Sequence, residues 1–141
     1  MARSVREIQD HRYSVGEEAM VDRRLESLGC SVVPGPGRCD RKVTTQTGYV
    51  FLLDNKGGQT RSGGLYGDRV VYSGIVQAAL DKAQFRLPVY LSCTGRMPLP
   101  GGRREQDLQA AIRMGLLDGY VSLPQITAEW LTSIENPDHR S

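Results

Sequence analysis

Asp54, Asn55 and Lys56 close the most apolar run of the chain, Tyr49-Val50-Phe51-Leu52-Leu53. On a strand, an acid and an ammonium two residues apart emerge on one face, about 7 Å apart at the backbone. A second acid, Asp40, lies as far before residue 47 as Asp54 lies after it. A hairpin turning there sets the two carboxylates opposite each other. Such a pair is what a hard divalent cation requires, because Mg²⁺ prefers oxygen ligands and is often held by one or two carboxylates together with water and substrate phosphate. The ion lowers the pKa of bound water and steadies charge on phosphoryl oxygens. A lysine beside it orients that water or neutralises the transition state. The glycines at 57 and 58 leave room for a phosphate backbone to approach. Asp40-Arg41-Lys42 repeats the acid-x-lysine spacing, but it follows a Pro/Gly loop rather than a buried strand and reads as accidental.

These residues need a hairpin and a helix to position them. A helix is expected over 14–28, with Ser14 as N-cap, Glu17 as its capping-box partner, and Val21, Leu25 and Leu28 on one face. Gly29 is placed to end it. A short strand over 30–33 and the tight loop Pro34-Gly35-Pro36-Gly37 follow. Strands over 39–45 and 49–56 are joined by a turn at Gln46-Thr47-Gly48. The second is apolar enough to be a central strand covered on both faces. Residues 57–68 hold five glycines around one cation, Arg61, and read as a mobile loop. A helix over 73–85 carries Ile75, Val76, Ala79, Leu80 and Ala83 as its apolar stripe. Then come a strand over 87–93, a second Gly/Pro loop over 94–102, a helix over 105–117, a short strand over 120–123 and a last helix over 127–134 carrying Trp130 as a core anchor. The order implies an α/β mixed sheet, with the helix between the third and fourth strands making a right-handed crossover to a parallel strand. Residues 1–12 and 136–141 are read as flexible ends and 13–135 as a single domain.

Composition sets the outer bounds. A length of 141 residues fits one core, and 39% apolar with 24% charged residues is ordinary for a soluble globular protein. The chain has no run apolar enough to cross a membrane and no apolar stretch of secretory type near its start. Three cysteines without a C-x-x-C spacing argue against a zinc site or a disulfide framework and read as reduced thiols of a cytoplasmic protein. The net charge of +2 is low for a dedicated electrostatic binder of nucleic acid, but Arg38, Arg41 and Lys42 crowd around Asp40.

Taken together, Gly16-Glu17-Glu18 on a helix, Leu28-Gly29 and Val32-Val33, a lone Asp40, then Val50-Phe51-Leu52-Leu53-Asp54-Asn55-Lys56 followed by a helix and an apolar strand resemble the PD-(D/E)xK nuclease superfamily. The Holliday-junction resolvase and restriction-endonuclease-like branches are nearest in shape. The resemblance spans roughly residues 13–93. It implies a restriction-endonuclease-like mixed sheet flanked by helices, and Mg²⁺- or Mn²⁺-dependent hydrolysis of DNA in recombination, repair or restriction. It also implies action as a homodimer. By the same resemblance, Asp40 and Asp54 match the metal carboxylates, Lys56 the catalytic lysine, and Glu18, with Glu17 as the alternative, the helix glutamate. Gln77 matches a polar residue of the crossover helix. Arg38, Arg41, Lys42, Arg61 and Gln77 become candidate nucleic-acid contacts. Asp54 stands where glutamate is commoner, and Arg41 where an apolar residue is usual. Two other readings stay open. One is a non-catalytic nucleic-acid-binding module using helices 105–117 and 127–134 as a helix-turn-helix, and the other is an interaction protein on the same fold.

Overall fold

The computed structural model describes residues 5–57 and 64–136. Arg61, half of the glycine-rich loop (58–63) and all but one residue of segment 136–141 lie outside them. The elements run α1 (Val5–Ser27), β1 (Ser31–Pro34), β2 (Arg41–Thr44), β3 (Val50–Lys56), α2 (Asp68–Phe85), β4 (Val89–Cys93), α3 (Arg103–Arg113), β5 (Gly119–Ser122), a 3-10 turn (Leu123–Gln125) and α4 (Ala128–Glu135). The strands form one sheet in the order β1-β2-β3-β4-β5. β1, β2 and β3 pair antiparallel, whereas β4 lies parallel to β3 and β5 parallel to β4. A single α/β domain with a mixed sheet flanked by helices is thus what the alternation of helical and strand-like patterns implied.

Local chemistry explains most boundaries. Gly29, at φ 85°, ends α1, with Cys30 N–H bonding back to Leu25 O and Gly29 N–H to Glu26 O. Those two bonds close a Schellman motif, which requires a left-handed residue at this position. Gly48, at φ 91°, turns the β2–β3 hairpin, where Thr45 N–H meets Tyr49 O at 2.9 Å. Phe51, Leu52 and Leu53 are all essentially buried, as a central strand covered on both faces must be.

The sheet separates two apolar layers. On one side α1 and α4 bring Val21, Leu25, Leu131 and Ile134 against Phe51, Leu53, Tyr90 and Val121. On the other, α2 and α3 bring Val71, Ala78, Leu108 and Ala111 against Leu52, Val89 and Leu91.

Three expectations are corrected. α1 begins at Val5, so the helix runs through Ser14, which is not an N-cap, and through part of the segment read as flexible. Residues 5–13 contain no proline or glycine, and nothing there stops the helix. α2 begins at Asp68, and it turns Val71, Gly74, Ala78 and Asp81 to the sheet, while Val76 and Leu80 are 57% and 47% exposed. Its inner face is small and partly charged because Lys56 passes beneath Gly74 and Asp81 binds the loop at Arg38 and Cys39, so hydrophobicity alone points the wrong way. Finally, α3 and α4 belong to opposite layers of the sheet and cannot form a helix-turn-helix.

Candidate active site

The hairpin register pairs Arg41 with Leu53, which sets Asp40 opposite Asp54 one step further along. The Asp40 Oδ2 accepts the Asn55 backbone N–H at 2.8 Å. On the α2 face of β3, Lys56 Nζ lies 2.8 Å from Asp54 Oδ2, so the acid and the ammonium emerge together as strand alternation requires. Gly74 lets the lysine pass under α2, since a Cβ there would sit 3.2 Å from Lys56 Cε.

Asp54 is only 7% exposed. Burial lifts its carboxyl from 3.8 to about 7; Lys56 pulls the value down, while hydrogen bonding and charge from Asp40 push it up. Two facing carboxyls, one of them buried, favour sharing either a proton or a cation.

A second structural device holds Asp40. Asp81 on α2 is fully buried, and its carboxylate accepts Arg38 N–H at 3.2 Å and the Cys39 thiol at 3.0 Å. Gly37, at φ 61°, fits where a Cβ would lie 2.7 Å from Asp81 Oδ1. Gly35 N–H closes the turn onto Asp40 O at 3.0 Å. The Pro34-Gly35-Pro36-Gly37 loop is therefore pinned to α2, and Asp40 follows directly from it. Asp81 was not among the residues singled out from the sequence, because a lone acid in a helix ordinarily reads as surface.

The two glutamates of α1 separate. Glu17 is 7% exposed, and its Oε2 accepts the Thr94 hydroxyl at 2.9 Å. Thr94 Oγ1 also accepts from Asn55 Nδ2 at 3.1 Å, and Ser92 donates to Asn55 Oδ1 at 2.9 Å. Gly57 abuts this chain of polar groups, for a Cβ there would overlap Glu17 Oε2 at 1.7 Å. Glu18 instead lies 3.6 Å from Arg41 Nη2, and lines a gap of about 10 Å³ with Asp22, Asp40, Arg41 and Asn55. Glu17 thus belongs to the end of β3, while Glu18 flanks Asp40. The signal for the polar network was Ser92 and Asn55 interrupting apolar strands, since buried polar groups need partners.

The candidate nucleic-acid contacts scatter. Arg38 is half-exposed beside Asp81, and Lys42 is exposed on β2. Arg41 is turned to α1, with its Nε 2.9 Å from Asp22. Gln77 is half-buried one turn beyond Gly74, at the border of the sheet-facing stripe.

No family model, curated protein or solved structure matches this chain. The geometry therefore carries the functional argument. Among the described residues no three His, Cys, Asp or Glu side chains gather as a metal cluster. Asp40 and Asp54 make a two-carboxylate, all-oxygen set, the donor chemistry that suits Mg²⁺ or Mn²⁺ completed by water and phosphate. Thiol chemistry fits poorly: Cys30, Cys39 and Cys93 are buried and free, and burial pushes each thiol upward. A protonated, inaccessible thiol is inert. Among the described residues no helix is long and apolar enough to cross a membrane.

Proposed function

We propose that this protein is a metal-dependent endonuclease of restriction-endonuclease-like fold, hydrolysing DNA phosphodiester bonds in the manner of a junction resolvase or a restriction-like enzyme. The observation that carries the reading is the hairpin register, which sets Asp40, the residue before β2, opposite Asp54 on β3, with Lys56 Nζ 2.8 Å from Asp54. Antiparallel β1–β3 followed by a crossover helix to parallel β4 is the architecture that this reading requires.

Asp40 and Asp54 are the residues that would hold the divalent cation. Such an ion would supply a water of lowered pKa and a Lewis acid for the scissile phosphate. Lys56, 2.8 Å from Asp54, is placed to orient a water and to offset charge on phosphoryl oxygens. Asn55 N–H fixes the rotamer of Asp40 by donating to its Oδ2. Glu17 or Glu18 stands by as a helix carboxylate, the former locked to Thr94 and the latter paired with Arg41. Cutting both strands of a duplex calls for two copies of such a site.

Incubation with branched, linear and single-stranded DNA in Mg²⁺, Mn²⁺ or EDTA tests the reading. Cleavage is expected in either metal and not in EDTA, and Asp54→Ala should abolish it with the circular dichroism unchanged. A second reading, a non-catalytic nucleic-acid-binding module, draws on Arg41 occupying Glu18 and Asp22. Binding without cleavage in every metal, indifferent to Asp54→Ala, would establish that alternative and end the first.

A further inference from the structure

The chain leaves β3 at Gly57 and re-enters the described structure at Gly64, whose N–H donates to Gly57 O at 3.1 Å. Gly64, at φ 67°, lies so close to the 94–102 loop that a Cβ would meet Arg96 N at 2.5 Å. Leu65 is fully buried, and its N–H donates to Arg96 O at 2.8 Å. The loop carrying Arg96 is itself tied to the strand end, since Thr94 N–H donates to Lys56 O at 3.2 Å. Two loops are thus locked together at the end of the sheet where Lys56 stands.

Tyr66 sits on that lock, half-buried. The Arg96 guanidinium lies over its ring at 3.8 Å from the centroid, and that of Arg104 lies 5.3 Å from the same centroid. Arg104 is steadied by Asp68 at 2.7 Å. Stacking engages the face of a guanidinium and leaves its N–H edge free to donate. Arg96 is exposed and pairs with no carboxylate among the described residues. Arg103, with a side chain 87% exposed, stands next to Arg104. Guanidinium edges oriented in this way match phosphate oxygens, Arg96 with its whole edge and Arg104 with the Nη groups left over from Asp68, while the Tyr66 ring holds the two heads in place.

We propose that Tyr66, Arg96 and Arg104 form a clamp for the sugar–phosphate backbone of a nucleic-acid strand and lead it to Lys56 and Asp54. The inference rests on the nuclease reading for the class of ligand, but its geometry is separate from the carboxylate pair. A polyacidic protein segment shares the charge but lacks the regularly spaced tetrahedral phosphates that two neighbouring guanidiniums can grip.

Fluorescence anisotropy of a labelled oligonucleotide with the full chain in EDTA tests the clamp apart from cleavage. Arg96→Ala and Arg104→Ala should each weaken binding about tenfold and reduce the slope of log K against log salt by about 1, the signature of a lost phosphate contact. Tyr66→Leu should weaken binding with the slope unchanged, and Tyr66→Phe should restore it. Circular dichroism and melting of each variant confirm the fold. An Arg96→Ala/Arg104→Ala protein that is folded and binds like the parent overturns the clamp, as does competition by polyglutamate equal to that of DNA. If the clamp variants lose binding while wild type cleaves nothing in Mn²⁺, the clamp stands and the nuclease reading falls. If wild type cleaves and the variants bind normally, the clamp falls alone.

Discussion

Asp54 is a carboxyl in a place that disfavours its charge. Burial lifts its carboxyl from 3.8 to about 7 despite the Lys56 ammonium at 2.8 Å. The folded protein therefore holds this proton more tightly than the unfolded chain does. The resulting stability is fully present below the unfolded value and is lost as pH rises through the folded one. Unfolding in urea should show stability falling between pH values of about 4 and 7 and levelling above, and Asp54→Asn should flatten that slope. Each pKa unit corresponds to about 1.4 kcal/mol, so the whole effect is a few kcal/mol at most. On the proposed function the same proton would compete with a cation, because carboxylate ligands bind metal in their ionised form. Calorimetric Mn²⁺ affinity should drop about tenfold for each pH unit below about 7 and vary little above it. An affinity that stays flat across this range would remove Asp54 from the ligand set.

At the scale of elements, α2 is built around what passes beneath it. Gly74 is buried against Lys56 and Leu91, and the added Cβ of Gly74→Ala would press on Lys56 Cε at 3.2 Å and Leu91 Cδ1 at 3.4 Å. Alanine also improves helix propensity by about 1 kcal/mol over glycine. The two effects separate stability from function. Gly74→Ala should melt at or above the wild-type temperature while metal-dependent cleavage falls roughly tenfold, because the ammonium is displaced from Asp54. Unchanged cleavage in a stabilised Gly74→Ala would show that the position of Lys56 does not limit the reaction. This helix also marks where sequence reading failed. Its inner face is Val71, Gly74, Ala78 and Asp81, less apolar than an outer face bearing Val76 and Leu80. A hydrophobic stripe locates a core only when the core is what a helix covers; here the helix covers a lysine and anchors a loop. Strands were legible for the opposite reason. The register that places Asp40 opposite Asp54 depends on turn chemistry at Gln46-Thr47-Gly48 and on strict alternation, both of which are local. The partners of Glu17, Asp81 and Tyr66 lie tens of residues away in sequence, and no local pattern announces them.

Across the whole molecule, the candidate site draws on both layers. Asp54 and Lys56 point to the α2 side, whereas Asn55, Glu17 and Glu18 belong to the α1 side, and Asp40 joins them at the strand opening. Such a site stays assembled only if both layers hold β3 in place. On the α1 side the hold is aromatic. Phe51, Tyr90 and Trp130 meet edge to face, with centroids 5.3, 6.0 and 5.7 Å apart. Edge-to-face pairs add about 0.5–1.5 kcal/mol beyond area burial. Trp130 comes from α4, whose Leu131 and Ile134 are buried in the same layer, and Thr127 caps the helix by accepting Trp130 N–H at 3.1 Å. Trp130→Ala removes two of the three ring contacts and leaves a cavity against Phe51, three residues before Asp54. The expected cost is roughly 3 kcal/mol, seen as a melting temperature lower by about 10 °C. At a temperature where the variant remains folded, Mn²⁺ affinity should be within about twofold of wild type, because the register of β2 on β3 does not depend on the ring. A folded Trp130→Ala that has lost Mn²⁺ binding would instead show that the α1 layer sets the position of Asp54, and that the carboxylate pair is not held by the hairpin alone.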